Sequence, residues 1–249
     1  MGSANEKLTE KPAVRHFATT HWSIVLSAGR SDSIHVRDSL EALCRTYWHP
    51  LYSFIRRKGF SPADAQDLTQ DFFTRLIEKD WLADLDRKKG KFRSFLLASL
   101  CHFLSNEIDK SKAQKRGGGR IFISIDGESA ETRYRLEPSH AISAEKLFER
   151  NWAMTLLDEA MNRLRSEYVA AGREILFDTL KDTLTRGKGS QPYTELAVQL
   201  SMSESAIKVA VHRLRQRYRK VLRDEIAETV STPDDVDDEL RYLFSVLSS

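Results

Sequence analysis

Between Ser205 and Arg223 the chain carries seven lysines or arginines, one histidine and no acid. Lys208, His212, Arg215 and Arg219 are spaced 4, 3 and 4 apart, which puts them on one face of a helix. Ile207, Ala210, Val211, Leu214, Tyr218 and Val221 form an apolar stripe on the same stretch. One side therefore packs inward while the other meets something anionic. Fixed cations in a row suit a polyanion, because neutralising phosphates releases condensed counterions. The chemistry is recognition rather than bond-making.

The residues just upstream sharpen this reading. Tyr193–Leu200 predicts a short helix, with small Ala197 where two helices must approach closely. Ser201-Met202 make a turn, and Ser203 is an N-cap for the basic helix. The pattern is that of a helix-turn-helix. In such a unit the N-terminal residues of the second helix face base edges in the major groove, and flanking cations meet phosphates. Ser203, Glu204, Ser205 and Lys208 fall nearest the bases, and Arg213, Arg215 and Arg217 fall at phosphates.

A second cluster interleaves cations and aromatics. Arg87, Lys88, Lys89, Lys91 and Arg93 lead into Phe92, Phe95, His102 and Phe103, and Lys110, Lys112, Lys115 and Arg116 follow. Such a surface can grip opened DNA through phosphate contacts and base stacking. Asp64, Asp67 and Asp71 lie on one helix, but no His or Glu motif completes a metal site around them. With Gln70, Phe72 and Phe73 close by, they read as a protein-binding face. The GGG at 117–119 lacks the strand–turn–helix context and Lys-Ser/Thr ending of a phosphate loop. No Ser/His/Asp or Cys/His arrangement stands out, so we expect no enzyme, no cofactor and no metal.

The elements that carry these residues are helical. The chain has 249 residues, 41% hydrophobic, with a net charge of only +3, so charge distribution says more than its sum. Cys44 and Cys101 lie far apart and fit two reduced thiols in a cytoplasmic protein. No apolar run approaches membrane-spanning length, and no signal peptide stands at the N-terminus. Helical spacing marks 38–57, with Pro50 as an expected kink. It marks a helix opened by Ser61-Pro62 with Ala65, Leu68, Phe72 and Leu76 inward, and a third from Phe92 with Leu96, Leu100, Phe103 and Leu104. IFISI at 121–125 is the one strand candidate. A Gly-rich, polar stretch then precedes a second helical block. The expected fold is all-α: two small helical domains joined by a flexible linker. The divisions are an N-terminal extension (1–37), a helical domain (38–116), a linker (117–143), a helix-turn-helix domain (144–228) and an acidic tail (229–249).

At this level the two halves resemble a known family. DAQDLTQDFFTRLIEK followed by FRSFLLASLCHFLSNEIDK resembles region 2 of extracytoplasmic-function (ECF) sigma factors. YTELAVQLSMSESAIKVAVHRLRQRYRKVL resembles their region 4. The resemblance implies a non-enzymatic specificity subunit of bacterial RNA polymerase. It implies core polymerase, through its β′ and β subunits, and promoter DNA as partners. Asp67, Gln70 and Asp71 would dock on the β′ clamp helices. Lys91, Arg93, Phe95, His102 and Asn106 would recognise and melt the −10 element. Ser205, Lys208, His212 and Arg213 would read the −35 element as duplex. The family often has Trp in place of Phe95, and an Arg-Asn pair in place of Cys101-His102. The alternative is a helix-turn-helix regulator that binds duplex DNA without polymerase. An anti-sigma factor is a further partner of such proteins. From Ser231 to Ser249 the tail has five acids and one arginine. It is expected either to fold on the basic surface and inhibit binding or to dock on a partner.

Overall fold

The computed structural model describes residues 34–77, 91–113, 127–137, 142–185, 191–230 and 232–248. In chain order the helices are α1 (Ile34–Arg57), α2 (Pro62–Ile77), α3 (Phe92–Ala113), α4 (Gly127–Arg135), α5 (Ala144–Ala170), α6 (Glu174–Leu180), α7 (Asp182–Thr185), α8 (Tyr193–Gln199), α9 (Glu204–Thr229) and α10 (Val236–Ser248). A 3₁₀ turn, Pro233–Asp235, leads into α10. Every regular element among the described residues is helical, as the periodicity predicts. The strand candidate at 121–125, the GGG at 117–119, Arg87–Lys89 and the N-terminal extension up to Ser33 lie outside the described residues.

Local chemistry sets the helix ends. Ser61 Oγ accepts from the Asp64 amide at 3.2 Å, so it caps α2 as its sequence position implies. Ser203 does the same for α9 through the Ala206 amide at 3.2 Å. At the other end of α5, Gly172 has φ +67°. Its amide bonds Val169 O at 2.9 Å and the next amide, of Arg173, bonds Tyr168 O at 2.8 Å. That is a Schellman closure, which needs a left-handed residue. Pro50 is buried inside α1, which runs on past it as one helix. Packing on both sides of the proline outweighs its local cost.

Two apolar cores organise the helices. The first joins Tyr47, Leu51 and Phe54 of α1 to Phe72, Phe73 and Leu76 of α2 and to Phe92, Leu96, Leu100 and Phe103 of α3. Trp48 stacks on Phe73 with centroids 5.7 Å apart, and Phe72 meets Phe103 at 5.7 Å. The second joins Leu164, Phe177, Leu180, Leu196, Ile207, Val211 and Leu214. Full burial of each such side chain contributes about 1.5–3 kcal/mol.

The long helices α5 and α9 enter both cores. Phe148, Trp152, Leu156 and Ala160 of α5 pack in the first, and Leu164 packs in the second. Ile207, Val211 and Leu214 of α9 lie in the second, and Val221, Leu222 and Ile226 in the first. The stripe inferred for α9 thus serves two different cores along its length.

Part of the stretch expected to link the halves is a helix. Glu131 of α4 accepts from Arg56 Nε at 2.9 Å and from Tyr52 Oη at 2.6 Å. Just beyond, Glu137 accepts from Ser53 Oγ at 3.0 Å and from Asn151 Nδ2 at 2.5 Å. These acids fasten residues 127–137 to α1 and α5. The composition of the stretch suggested loose coil, but long-range partners decide its conformation.

Candidate nucleic-acid interface

The α8–turn–α9 unit has the geometry its sequence implies. Leu196 and Ala197 of α8 are buried against α9. The turn residue Ser201 has φ +50°, with its amide on Val198 O at 3.2 Å and the Met202 amide on Ala197 O at 3.0 Å. This is the same closure that uses Gly172 at the end of α5, but made with a serine.

From the cap onward, α9 presents Ser203, Glu204, Ser205, Lys208, His212 and Arg213 to solvent. Lys208 is tethered by Glu204 at 2.9 Å, one turn back, which raises its pKa and keeps it charged. Two other cations have internal work. Arg215 Nη2 donates to Thr183 O at 2.9 Å, capping the end of the α6–α7 segment. Arg217 makes two bonds to Glu167 of α5, at 2.6 and 2.5 Å. That pairing holds the Glu167 carboxyl below its ordinary range. Arg215 and Arg217 therefore orient α9 on its scaffold, while Lys208, His212, Arg213 and Arg219 remain on the open face.

The residues singled out on α3 divide between two faces. Phe95, His102 and Asn106 are spaced 7 and 4 apart and share one side. His102 and Asn106 are exposed, and Phe95 is half-buried against Phe92, centroids 5.8 Å apart. Arg93, two residues from Phe95, points the opposite way into the core and is 4% exposed.

Around Arg93 the structure builds a closed cage. Its Nε and Nη2 bond the two carboxylate oxygens of Glu239 at 2.7 and 3.3 Å, and Nη1 bonds Glu149 Oε1 at 3.3 Å. Its guanidinium lies 3.9 Å from the Tyr242 ring centroid and 4.9 Å from that of Trp152. Lys91 Nζ reaches the same Glu239 at 2.7 Å. Burial, followed by a hydrogen bond with Glu149, pushes the Tyr242 hydroxyl up to about 12. Glu239 and Tyr242 belong to α10, the acidic tail. Sequence reasoning missed them because Glu239 is one of five acids between Asp234 and Glu239, and the other four mask the one that faces inward. The signal was there: Val236, Leu240, Leu243 and Leu247 follow a spacing of 4, 3 and 4, and Glu239 shares their side.

On α2, Asp67 and Asp71 are one turn apart and half-buried, and Gln70 is 9% exposed. The aromatics expected beside them on a protein-binding face are not there. Phe72 and Phe73 are fully buried, because the first core takes both. Among the described residues no group of His, Cys, Asp and Glu has the arrangement of a metal site. No described helix is long and apolar enough to cross a membrane.

A family model described as ECF sigma factor matches residues 41–224, from the middle of α1 to the last turns of α9. The chain belongs to the ECF sigma factor family. Its role is that of a sigma factor in transcription initiation. The match spans the helix-turn-helix, the second core and most of the first, in agreement with the all-α, two-domain expectation. It ends before α10, so the helix that covers Arg93 lies outside the matched region. No curated protein and no solved structure gives a significant match.

Proposed function

We propose that this sigma factor binds core RNA polymerase and directs it to promoters by reading two DNA elements. The observation that carries the reading is one chain, matched along 41–224, that joins a capped helix-turn-helix to a helical domain with an acidic α2 face. Asp67 and Asp71 are the polymerase-docking residues, with the nearly buried Gln70 shaping the face between them and β′ and β as the subunits contacted. Ser203, Glu204, Ser205, Lys208, His212 and Arg213 meet the duplex −35 element, and their exposure at the start of α9 supports this. Arg215 and Arg217 support that contact by fixing the helix. Lys91, Arg93, Phe95, His102 and Asn106 serve the −10 element, with bases stacking on Phe95 and the cations on phosphates.

The test is reconstitution with core polymerase on a pool of genomic fragments, followed by sequencing of the transcripts. Transcripts starting downstream of a shared pair of elements are expected only when this chain is present. Duplex binding by the isolated chain, with no change in transcript start sites, would favour a conventional helix-turn-helix regulator.

A further inference from the structure

We propose that α10 is a built-in latch that withholds Lys91 and Arg93 from DNA, and that opening α10 is a step in promoter engagement. The inference rests on the sigma reading above.

The cage described for Arg93 is supplied largely by one helix of the tail. Glu239 is fully buried and takes bonds from both Arg93 and Lys91. Tyr242 lies against both cations, at 3.9 Å from Arg93 and 5.0 Å from Lys91. A carboxylate to bond and an aromatic ring to stack on offer a guanidinium what a phosphate beside a base would offer. The tail therefore occupies the cations with groups that stand in for nucleic acid.

The latch is also held at its edges. Val236 and Leu243 are buried in the first core, and Arg223 of α9 pairs with Asp237 in the first turn of α10. These contacts tie the cover of the −10 residues to the −35 helix itself. Loss of the Arg223–Asp237 pair would loosen the start of α10. Phe95, His102 and Asn106 stay outside the cage, so the closed form keeps part of the α3 surface available.

The competing explanation is that an acidic tail lowers DNA affinity through net charge alone. Leu243→Asp separates the two, because it adds an acid while removing a buried anchor of α10. Wild type, Leu243→Asp and a control, Asp234→Asn/Asp238→Asn, are titrated with a fluorescein-labelled single-stranded oligonucleotide at several salt concentrations. Two released cations should steepen the log–log salt slope of Leu243→Asp by about 1.4. The control should keep the wild-type slope. An unchanged slope in Leu243→Asp, with fast amide exchange showing α10 released, would overturn the latch.

Hydrogen exchange on the wild-type chain gives a readout that needs no variant. The α10 amides should exchange faster once core polymerase and promoter DNA are bound, and full retention of their protection in that complex would overturn the proposal. A steeper slope in Leu243→Asp without any polymerase association would keep the latch and remove the polymerase reading.

Discussion

Substituting Glu239 by glutamine should destabilise the fold by about 2–3 kcal/mol. Removing one partner of a buried ion pair costs about 3–5 kcal/mol, because the other charge stays buried without compensation. Here the loss is smaller. Arg93 retains Glu149 at 3.3 Å and the Tyr242 ring at 3.9 Å, and the amide oxygen can still accept one bond. Lys91 is 32% exposed in its side chain and regains water. For a chain of this size the penalty corresponds to a fall in Tm of about 4–12 °C. Urea unfolding followed by circular dichroism, with hydrogen exchange of α10, measures it. A companion pair tests the cause: Arg93→Met and Glu239→Leu should each destabilise, while the double variant should return to within about 1 kcal/mol of wild type. A Glu239→Gln loss below about 0.5 kcal/mol, or singles that simply add, would refute the reasoning that this pair is a coupled, buried lock.

Three further outcomes follow from single residues. Ser201→Gly should stabilise the helix-turn-helix by about 1 kcal/mol, since a left-handed φ of +50° costs serine what it does not cost glycine; thermal unfolding would show it. Glu131 is held down at about 2, first by Arg56 and then by Tyr52 and Arg135, so its contribution is present above about pH 4.5 and lost as pH falls toward 2. Glu131→Gln should therefore remove about 1–2 kcal/mol at pH 7, allowing for solvent screening, and almost nothing at pH 2, by urea titration at both values. Glu228 is pushed up to about 7, chiefly by burial and then by Glu225, so the folded chain holds its proton more tightly than the unfolded one. Stability from this group declines as pH rises from about 4.5 to 7, and Glu228→Gln should gain about 1–3 kcal/mol at pH 8 with no gain at pH 4.

Legibility in the sequence tracked how local the governing physics was. The cap at Ser61, the cap at Ser203 and the inward stripe of α9 depend on neighbours within a few residues, and all three stood out by type and spacing. What α5 and α9 pack against was not visible, because one helix face looks the same whether it serves one core or two. The helix at Gly127–Arg135 was hidden for a similar reason. Its Glu131 finds Tyr52 and Arg56 more than seventy residues away. Phe72 was legible in the inward stripe, but Phe73 was not, because adjacent residues point to different sides of a helix and here the first core surrounds both. At the candidate interface, spacing identified the cations but not their tasks. Arg215 and Arg217 brace α9, and Arg93 faces the tail, by partners that no local pattern announces.

The central claim is that this chain docks on core polymerase through the α2 face. Asp67 and Asp71 sit one turn apart, half-buried and outside both apolar cores, and circular dichroism of the double alanine variant checks that the fold is kept. Co-purification of core RNA polymerase with wild type and with Asp67→Ala/Asp71→Ala tests the claim directly. A stable wild-type complex that the variant loses is the predicted result. A wild-type chain that never retains polymerase, or a variant that retains it equally well, would contradict the account.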